Sequence, residues 1–546
     1  MKRTFILTLL LIASINLFSQ TPIFTRQDSL RGMETPERVW WDLTFYHLNI
    51  QVNPTDSTIN GTNTISYRVL AEGSVMQIDL QPPLAIKGAA QNGKELKIVN
   101  EGNAHFIHLI DKQDIGSLKT IILTYGGRPH IAVRPPWDGG ITWKKDSNGM
   151  PFIASSCQGA GASLWWPCKD HMYDEPDSML ISVTVPENLI NVSNGRLRSI
   201  ASNRKNKTKT YSWYVSNPIN SYGVNINIGD YVTFSDKFNG EKGVLDCDYW
   251  VLRQNLEKAK VHFKQAGLML KAFEYWFGPY PFYEDGYKLV EVSYTGMEHQ
   301  SSVTYGNGYQ NGYLGRDESG TGWGNSWDFI IIHESGHEWF ANSITYRDIA
   351  DMWVHESFIN YSESLFVEFY NGKEAGAEYV RGTRKNIRND RTIVGTYNVN
   401  KSGSGDMYPK GGNMLHTLRQ IVNDDAKWRE LLRGINLEFY HKVVTGAQIE
   451  AYLINKTGLD IESFFNQYLR DVRIPVFEYF IKNKELNFRW NNCVQGFNMP
   501  LKIYIGDSPV VVNPSSRWAS LKIDSDNPPV FVDPNYYVAT LNMMGK

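Results

Sequence analysis

The sequence predicts a multidomain α+β chain: a β-rich N-terminal part of the saddle or sandwich type, a mainly helical centre, and a small β-sandwich at the end. Three observations carry that prediction. From about Arg38 to Phe238 apolar residues recur with a period of two; from about Leu252 to Leu469 the spacing is helical; after Ile474-Pro475 the alternation returns. The corresponding divisions are a leader over 1–20, an N-terminal β domain over 38–248, a central domain over 249–473 and a C-terminal β domain over 474–546.

The leader begins with Lys2 and Arg3, continues in an apolar run from Phe5 to Phe18 and ends on Ser19 and Gln20. This is the layout of a cleavable secretory signal, with an uncleaved anchor as the alternative, and it predicts export to a periplasm or the exterior. No cysteine stands just after the cleavage point to carry a lipid, and no later segment is long and apolar enough to span a bilayer. A formal net charge of −2 argues against nucleic acid as the main partner. Export permits disulfides among Cys157, Cys168, Cys247 and Cys493; Cys157 with Cys168 is the local candidate pair, and buried free thiols are the alternative.

In the first β stretch, Leu48, Ile50 and Val52 alternate with Asn49, Gln51 and Asn53, and Ile181, Val183 and Val185 alternate with Ser182 and Thr184. The period then changes: Leu256, Phe263, Leu270 and Phe277 recur every seven residues, predicting one long helix that ends at Gly278-Pro279. A strand-like run, 288–292, leads into Thr295-Gly296-Met297-Glu298-His299, and helical patterns resume beyond it. The last part alternates again in 477–480 and 501–505.

The chemistry concentrates in His333-Glu334-Ser335-Gly336-His337. Two histidines four residues apart on a helix lie about 40° apart around its axis, so both imidazoles reach one metal ion. The glutamate beside the first histidine stands where a general base toward a metal-activated water belongs. Apolar flanks, Phe329 to Ile332 before and Trp339-Phe340 after, predict a buried helix on both sides of the motif, a costly place for an idle Glu334. Catalytic zinc takes three protein ligands. Glu356, nineteen residues beyond His337 in a second helical segment, is the candidate third; Asp348, Asp351, His355 and Glu363 are weaker ones, more at home in the surroundings.

With these motifs in view the chain resembles the zinc aminopeptidases of the aminopeptidase N and leukotriene-hydrolase family. The metal motif with its distant glutamate is one anchor. Thr295 to His299 resembles the family's G-x-M-E-N, Tyr408-Pro409-Lys410-Gly411 its Y-x-K-G, and Trp166-Pro167-Cys168-Lys169-Asp170 its F-P-C-x-D. The resemblance runs from about residue 40 to 540 and implies a thermolysin-like catalytic domain, one Zn²⁺ per chain on His333, His337 and Glu356, and Glu334 as base. It further implies Tyr408 as oxyanion donor, Glu298 and Gln158 as partners of a substrate's free α-amino group, and Gly296 and Met297 as the edge along which an extended peptide lies. His299 stands where the family has asparagine, and His355-Glu356-Ser357 where it has N-E-G, so the pocket around these positions is expected to differ. The larger members end in a helical cap; this chain is expected to lack it and to have a more open cleft.

The expected activity is therefore hydrolysis of the first peptide bond of peptides with a free N-terminus. A non-catalytic binding protein on the same fold is the rival, disfavoured by the intact Glu334 and Tyr408. A zinc endopeptidase with the same ligands is the other, disfavoured by Met297-Glu298, which would block the amine end of its cleft.

Overall fold

The computed structural model describes residues 23–544 apart from residue 526; the expected leader lies outside the described residues. Three bodies of secondary structure follow one another along the chain.

The first is an eight-stranded sheet whose centre is Trp41–Asn53, paired antiparallel with Thr58–Val69 on one side and parallel with Ser178–Pro186 on the other. The predicted alternation is realised: Leu48, Ile50, Val52, Ile181, Val183 and Val185 all point into one core. A three-stranded sheet (75–79, 97–101, 104–108) and a four-stranded one (140–145, 151–156, 190–192, 227–229) feed the same core. Cys157 and Cys168 are both buried there, but they are free thiols, as are Cys247 and Cys493. Cys168 is tied to Asp79 across a β-bridge, whereas the Cys157 thiol donates to the Tyr222 carbonyl, so the local pairing does not form.

The second body begins earlier than the change of period suggests. Tyr231–Gly240 and Gly243–Leu252 form a hairpin, and the second of them pairs parallel with Tyr287–Glu291. The five-stranded sheet continues through Val303–Tyr305 to a two-residue edge, Gly296–Met297. A division at 248 would cut through a strand of this sheet. Hydrogen bonding moves it to about residue 230, because period two marks a strand without saying which sheet it joins.

Helices pack over this sheet. The expected long helix is two pieces, Leu256–His262 and α1 (Lys264–Phe277), broken at Phe263, whose ring is buried among Phe234, Tyr249 and Tyr305. Gly278 ends α1 with φ 95°, as a glycine stop should. Three further helices build the site: α2 (Phe329–Gly336), α3 (Trp353–Asn371) and α4 (Pro409–Val422).

The C-terminal strands form a four-stranded and a three-stranded sheet. Their hairpin at Asn483-Lys484 turns with φ of 52° and 54°, the two-residue geometry that matches strand twist. Phe477, Trp490, Leu501 and Ile503 share one continuous core with Phe464 and Tyr468 of the helical body. Among the described residues no helix is long and apolar enough to cross a membrane.

Candidate metal centre and active site

α2 starts where Asp328 accepts the backbone N–H of Ile330 and Ile331 at 2.9 and 3.1 Å. The second oxygen of Asp328 is held by His262 and Tyr305, which fixes the helix entry against the sheet. The helix does not run on through Trp339 and Phe340 as the apolar flank suggests. It stops at His337, because Phe340 (φ −123°, ψ 85°) and Ala341 (φ 153°, ψ −48°) leave the helical region. That break has a use: it turns the Phe340 carbonyl back to accept from His337 Nδ1 at 3.0 Å.

His333 is oriented in the same way by a different partner. Its Nδ1 donates to Glu363 Oε1 at 2.8 Å, and Glu363 in turn accepts from Tyr379 at 2.8 Å. With both Nδ1 atoms occupied as donors, both Nε2 lone pairs face inward. They converge on Glu356 Oε2, at 3.8 Å from His333 and 3.4 Å from His337. Glu356 lies in the first turn of α3, where the helix dipole favours its negative form. Its Oε2 is buried and has no hydrogen-bond partner among the described residues. Two imidazoles aimed at one orphaned carboxylate oxygen, all three ligand atoms within 4.8 Å of each other, are the donor set and spacing of a zinc site.

Glu334 is half-buried and lines a cavity of about 850 Å³ together with these residues. Burial pushes its carboxyl above the ordinary range, opposed by the nearby histidines and reinforced by Glu298. Gly296 lies against it: a Cβ there would come 2.6 Å from Ile330 and 3.0 Å from Glu334, so only glycine lets the edge strand pass this side chain. Tyr408 reaches the site through a similar close approach. It sits at the start of α4, with Pro409 in the first turn, and Gly411 packs so near Ser357 of α3 that a Cβ would meet Oγ at 2.0 Å. The Tyr408 ring lies parallel to His333, and burial, with Glu356 and Glu298 nearby, raises its phenol well above the usual value. It therefore stays a donor.

On the other side Glu298 is buried, and one of its oxygens lies within 4.8 Å of a Glu334 oxygen and a His337 nitrogen. Burial raises its carboxyl. Gln158 Nε2 donates both to Glu298 Oε1 and, at 3.0 Å, to Glu356 Oε1, so it bridges the two ends of the site. Met297 is buried beside Gly296 on the edge strand.

The weaker candidates separate. Glu363 orients His333. Asp348 caps a turn through Ala350 and Asn398, and Asp351 accepts from Tyr397 and Gly446, away from the imidazoles. His355 faces away too: its Nε2 accepts the Tyr346 N–H at 2.9 Å and its ring stacks on Tyr346, while burial holds it neutral. His299 is buried with Nδ1 at 3.3 Å from Thr304, and neither it nor His355 lines the cavity. Two residues of the site carried no motif. Tyr222 donates to Glu298 at 3.2 Å, and Phe329 stacks on His333 with centroids 5.0 Å apart. A helical spacing of four between Phe329 and His333 was the one available signal.

A helix-borne histidine pair and a carboxylate from the next helix, with a sheet edge beside them, make a His₂Glu donor set of the kind that holds zinc. Residues 262–468 match the family model of the Peptidase family M1 domain. The chain is 27% identical over 212 residues to aminopeptidase N of Lactobacillus helveticus, covering 35% of this chain and 24% of that protein. It is 23% identical over 452 residues to leukotriene A-4 hydrolase of Xenopus laevis, covering 78% and 70%. Against leucine aminopeptidase 2 of Vanderwaltozyma polyspora it is 25% identical over 369 residues, covering 63% and 48%. The chain thus spans from about a quarter to about half of these aminopeptidases. Its fold matches that of the M1 zinc metallopeptidase from Deinococcus radiodurans, with a TM-score of 0.68 at 20% identity over 80% of this chain and 95% of that one.

Proposed function

We propose that the protein is a zinc-dependent aminopeptidase that removes the N-terminal residue from peptides. The observation that carries the reading is the short distance between two clusters that share His337: the convergence of His333, His337 and Glu356, and the buried Glu298 beside Glu334. One cluster suits a metal; the other places an anionic group where a substrate's ammonium must sit if its first peptide bond is to reach the metal.

His333, His337 and Glu356 would hold one Zn²⁺ per chain, which when bound supplies Lewis-acid polarisation of a carbonyl and acidifies water. Glu334 takes a proton from the attacking water and passes it to the leaving amine. Its raised pKa suits both halves of that transfer. Tyr408 donates its phenol to the oxyanion as the carbonyl becomes tetrahedral. Glu298, with Gln158 bridging it to Glu356, receives the α-ammonium and sets the register; the Gly296–Met297 edge offers its free backbone groups to an extended peptide. The Deinococcus radiodurans relative in fold has been crystallised with a Tyr-Ser-Ala substrate, in keeping with a peptide in this cleft.

Export through residues 1–20 belongs to the proposal, supported by the charge and hydropathy of that stretch; Edman sequencing of protein recovered from outside the cytoplasm should begin near residue 21.

The decisive test compares free and N-acetylated peptides. A charge-assisted pair contributes about 1.5–3 kcal/mol, so Glu298→Ala should lower kcat/KM on free-amine peptides roughly 10–200-fold. Wild type should cleave acetylated peptides poorly. Equal cleavage of both by wild type would replace this reading with an endopeptidase.

A further inference from the structure

We propose that Asp170, the last residue of the Trp166 to Asp170 motif, is the positioning residue of the amine-binding end of the cleft, holding in place the two separate segments whose side chains clamp Glu298. The inference rests on the reading of Glu298 as the ammonium partner. Asp170 does not line the cleft, so its action is through others.

The clamp on Glu298 Oε1 has two jaws, Gln158 and Tyr222, from segments more than sixty residues apart. Gln158 precedes a tight loop in which Gly161 N–H bonds back to the Cys157 carbonyl, and the loop runs into the short helical turn Ala162–Leu164. Tyr222 lies in a second such turn, Ser221–Gly223. The Asp170 carboxylate grips both. Oδ2 accepts from Ser163 N–H at 3.0 Å and from Ser163 Oγ at 2.5 Å. Oδ1 accepts from Ala162 N–H at 3.2 Å and Ser221 Oγ at 3.4 Å. The two turns are also joined directly by the Cys157 thiol on the Tyr222 carbonyl.

Only a carboxylate satisfies this set, since every neighbour is a donor and an amide would turn its own N–H₂ toward one of them. The charge is 2% exposed and is answered by Arg31, whose Nη2 lies 3.2 Å from Oδ1. Arg31 comes from the helix Arg26–Gly32, so the N-terminal segment contributes to the support of the amine site. The Asp170 backbone N–H is in turn fixed by Asp79, itself paired with buried Arg38 at 2.6 Å. Charge, burial and donor count all converge on one side chain that the catalytic chemistry does not touch.

A double-mutant cycle tests this, using an aminoacyl-coumarin substrate and its N-acetyl counterpart, with zinc content and Tm measured on every variant. Asp170→Asn should lower kcat/KM on the free-amine substrate roughly tenfold or more, the scale of weakening a hydrogen-bonded charge. In the Gln158→Ala/Tyr222→Phe background the same substitution should change it less than about twofold, because the jaws it positions are gone. Arg31→Gln should act in the same direction with a smaller loss, and it carries the test if Asp170→Asn fails to fold. Equal losses in both backgrounds, or no loss in a folded, zinc-loaded Asp170→Asn, would overturn the inference while leaving the aminopeptidase reading intact. A wild type that does not discriminate free from acetylated substrate overturns that reading and this one with it.

Discussion

The two ends of the cleft are built on opposite plans. The metal end is mostly local: His333 and His337 share one helix, each fixed by a partner close by in the fold, Glu363 or the Phe340 carbonyl, and Glu356 opens the next helix, with Gln158 on its Oε1 as the one distant partner. The amine end is assembled from distance. Glu298 meets Gln158 and Tyr222 from 140 and 76 residues away, and both of these depend on a carboxylate that never enters the cleft. The two histidines take their orientation from partners in the catalytic body itself. A long-range cluster records how the N-terminal β body is docked on the catalytic sheet, so it is the end at which stability and specificity are coupled.

Changes at the metal end should act on the rate and leave register alone. Glu334→Gln has the largest expected effect, a loss of roughly 10²–10⁴-fold in kcat with metal and Tm retained, the scale of a missing general base. Metal analysis beside steady-state kinetics checks it; wild-type turnover in a zinc-loaded variant would move the base elsewhere. Tyr408→Phe comes next, with a loss of about 10²–10³-fold in kcat and little change in KM, because its hydrogen bond strengthens as the oxyanion forms. A change confined to KM would transfer Tyr408 from the metal end to the binding end and blur the contrast.

Glu363→Gln is smaller and sharper. The carboxylate fixes the His333 tautomer, and losing it should weaken zinc affinity roughly 10–100-fold, read by competition with a chelator. Discrimination between free and acetylated peptides should not move, since Glu363 touches nothing at the amine end.

How much of each end was legible in the sequence follows from the same contrast. Helix periodicity writes His333, Glu334, His337 and Glu356 into a window of two dozen residues, and physics alone brings them together. The end of α2 was not legible, because nothing in Trp339-Phe340 announces the backbone break that orients His337; the apolar run reads as more helix. The boundary near 230 was missed for a related reason: the hairpin 231–252 has the same alternation as the strands before it, and only pairing with Tyr287–Glu291 reassigns it. At the amine end Glu298 and Gln158 enter the sequence reading only through the resemblance, and Tyr222 does not enter it at all. A lone tyrosine in Asn220-Ser221-Tyr222-Gly223 carries no periodicity, and its role exists only once two bodies are docked.

The smallest expected effect belongs to His299, which stands in the last position of the Thr295–His299 stretch, where the G-x-M-E-N pattern it resembles has asparagine. Sequence position puts it next to Glu298 and suggests a part in the pocket. The structure turns it the other way: the ring is fully buried, Nδ1 is 3.3 Å from Thr304, Nε2 has no partner among the described residues, and burial holds the imidazole neutral, with its pKa lowered to about 3. An uncharged, inward-facing group makes no contact with a substrate ammonium. His299→Asn should therefore change kcat/KM less than about threefold while lowering Tm, since the shorter side chain leaves part of a packed site unfilled at a cost of about 1–2 kcal/mol. For a body of this size each kcal/mol shifts Tm by about 2–4 °C. Thermal denaturation and kinetics on one preparation decide it. A tenfold change in kcat/KM at unchanged Tm would mean that His299 acts on Glu298 through the backbone they share, and the amine end would then have a local component after all.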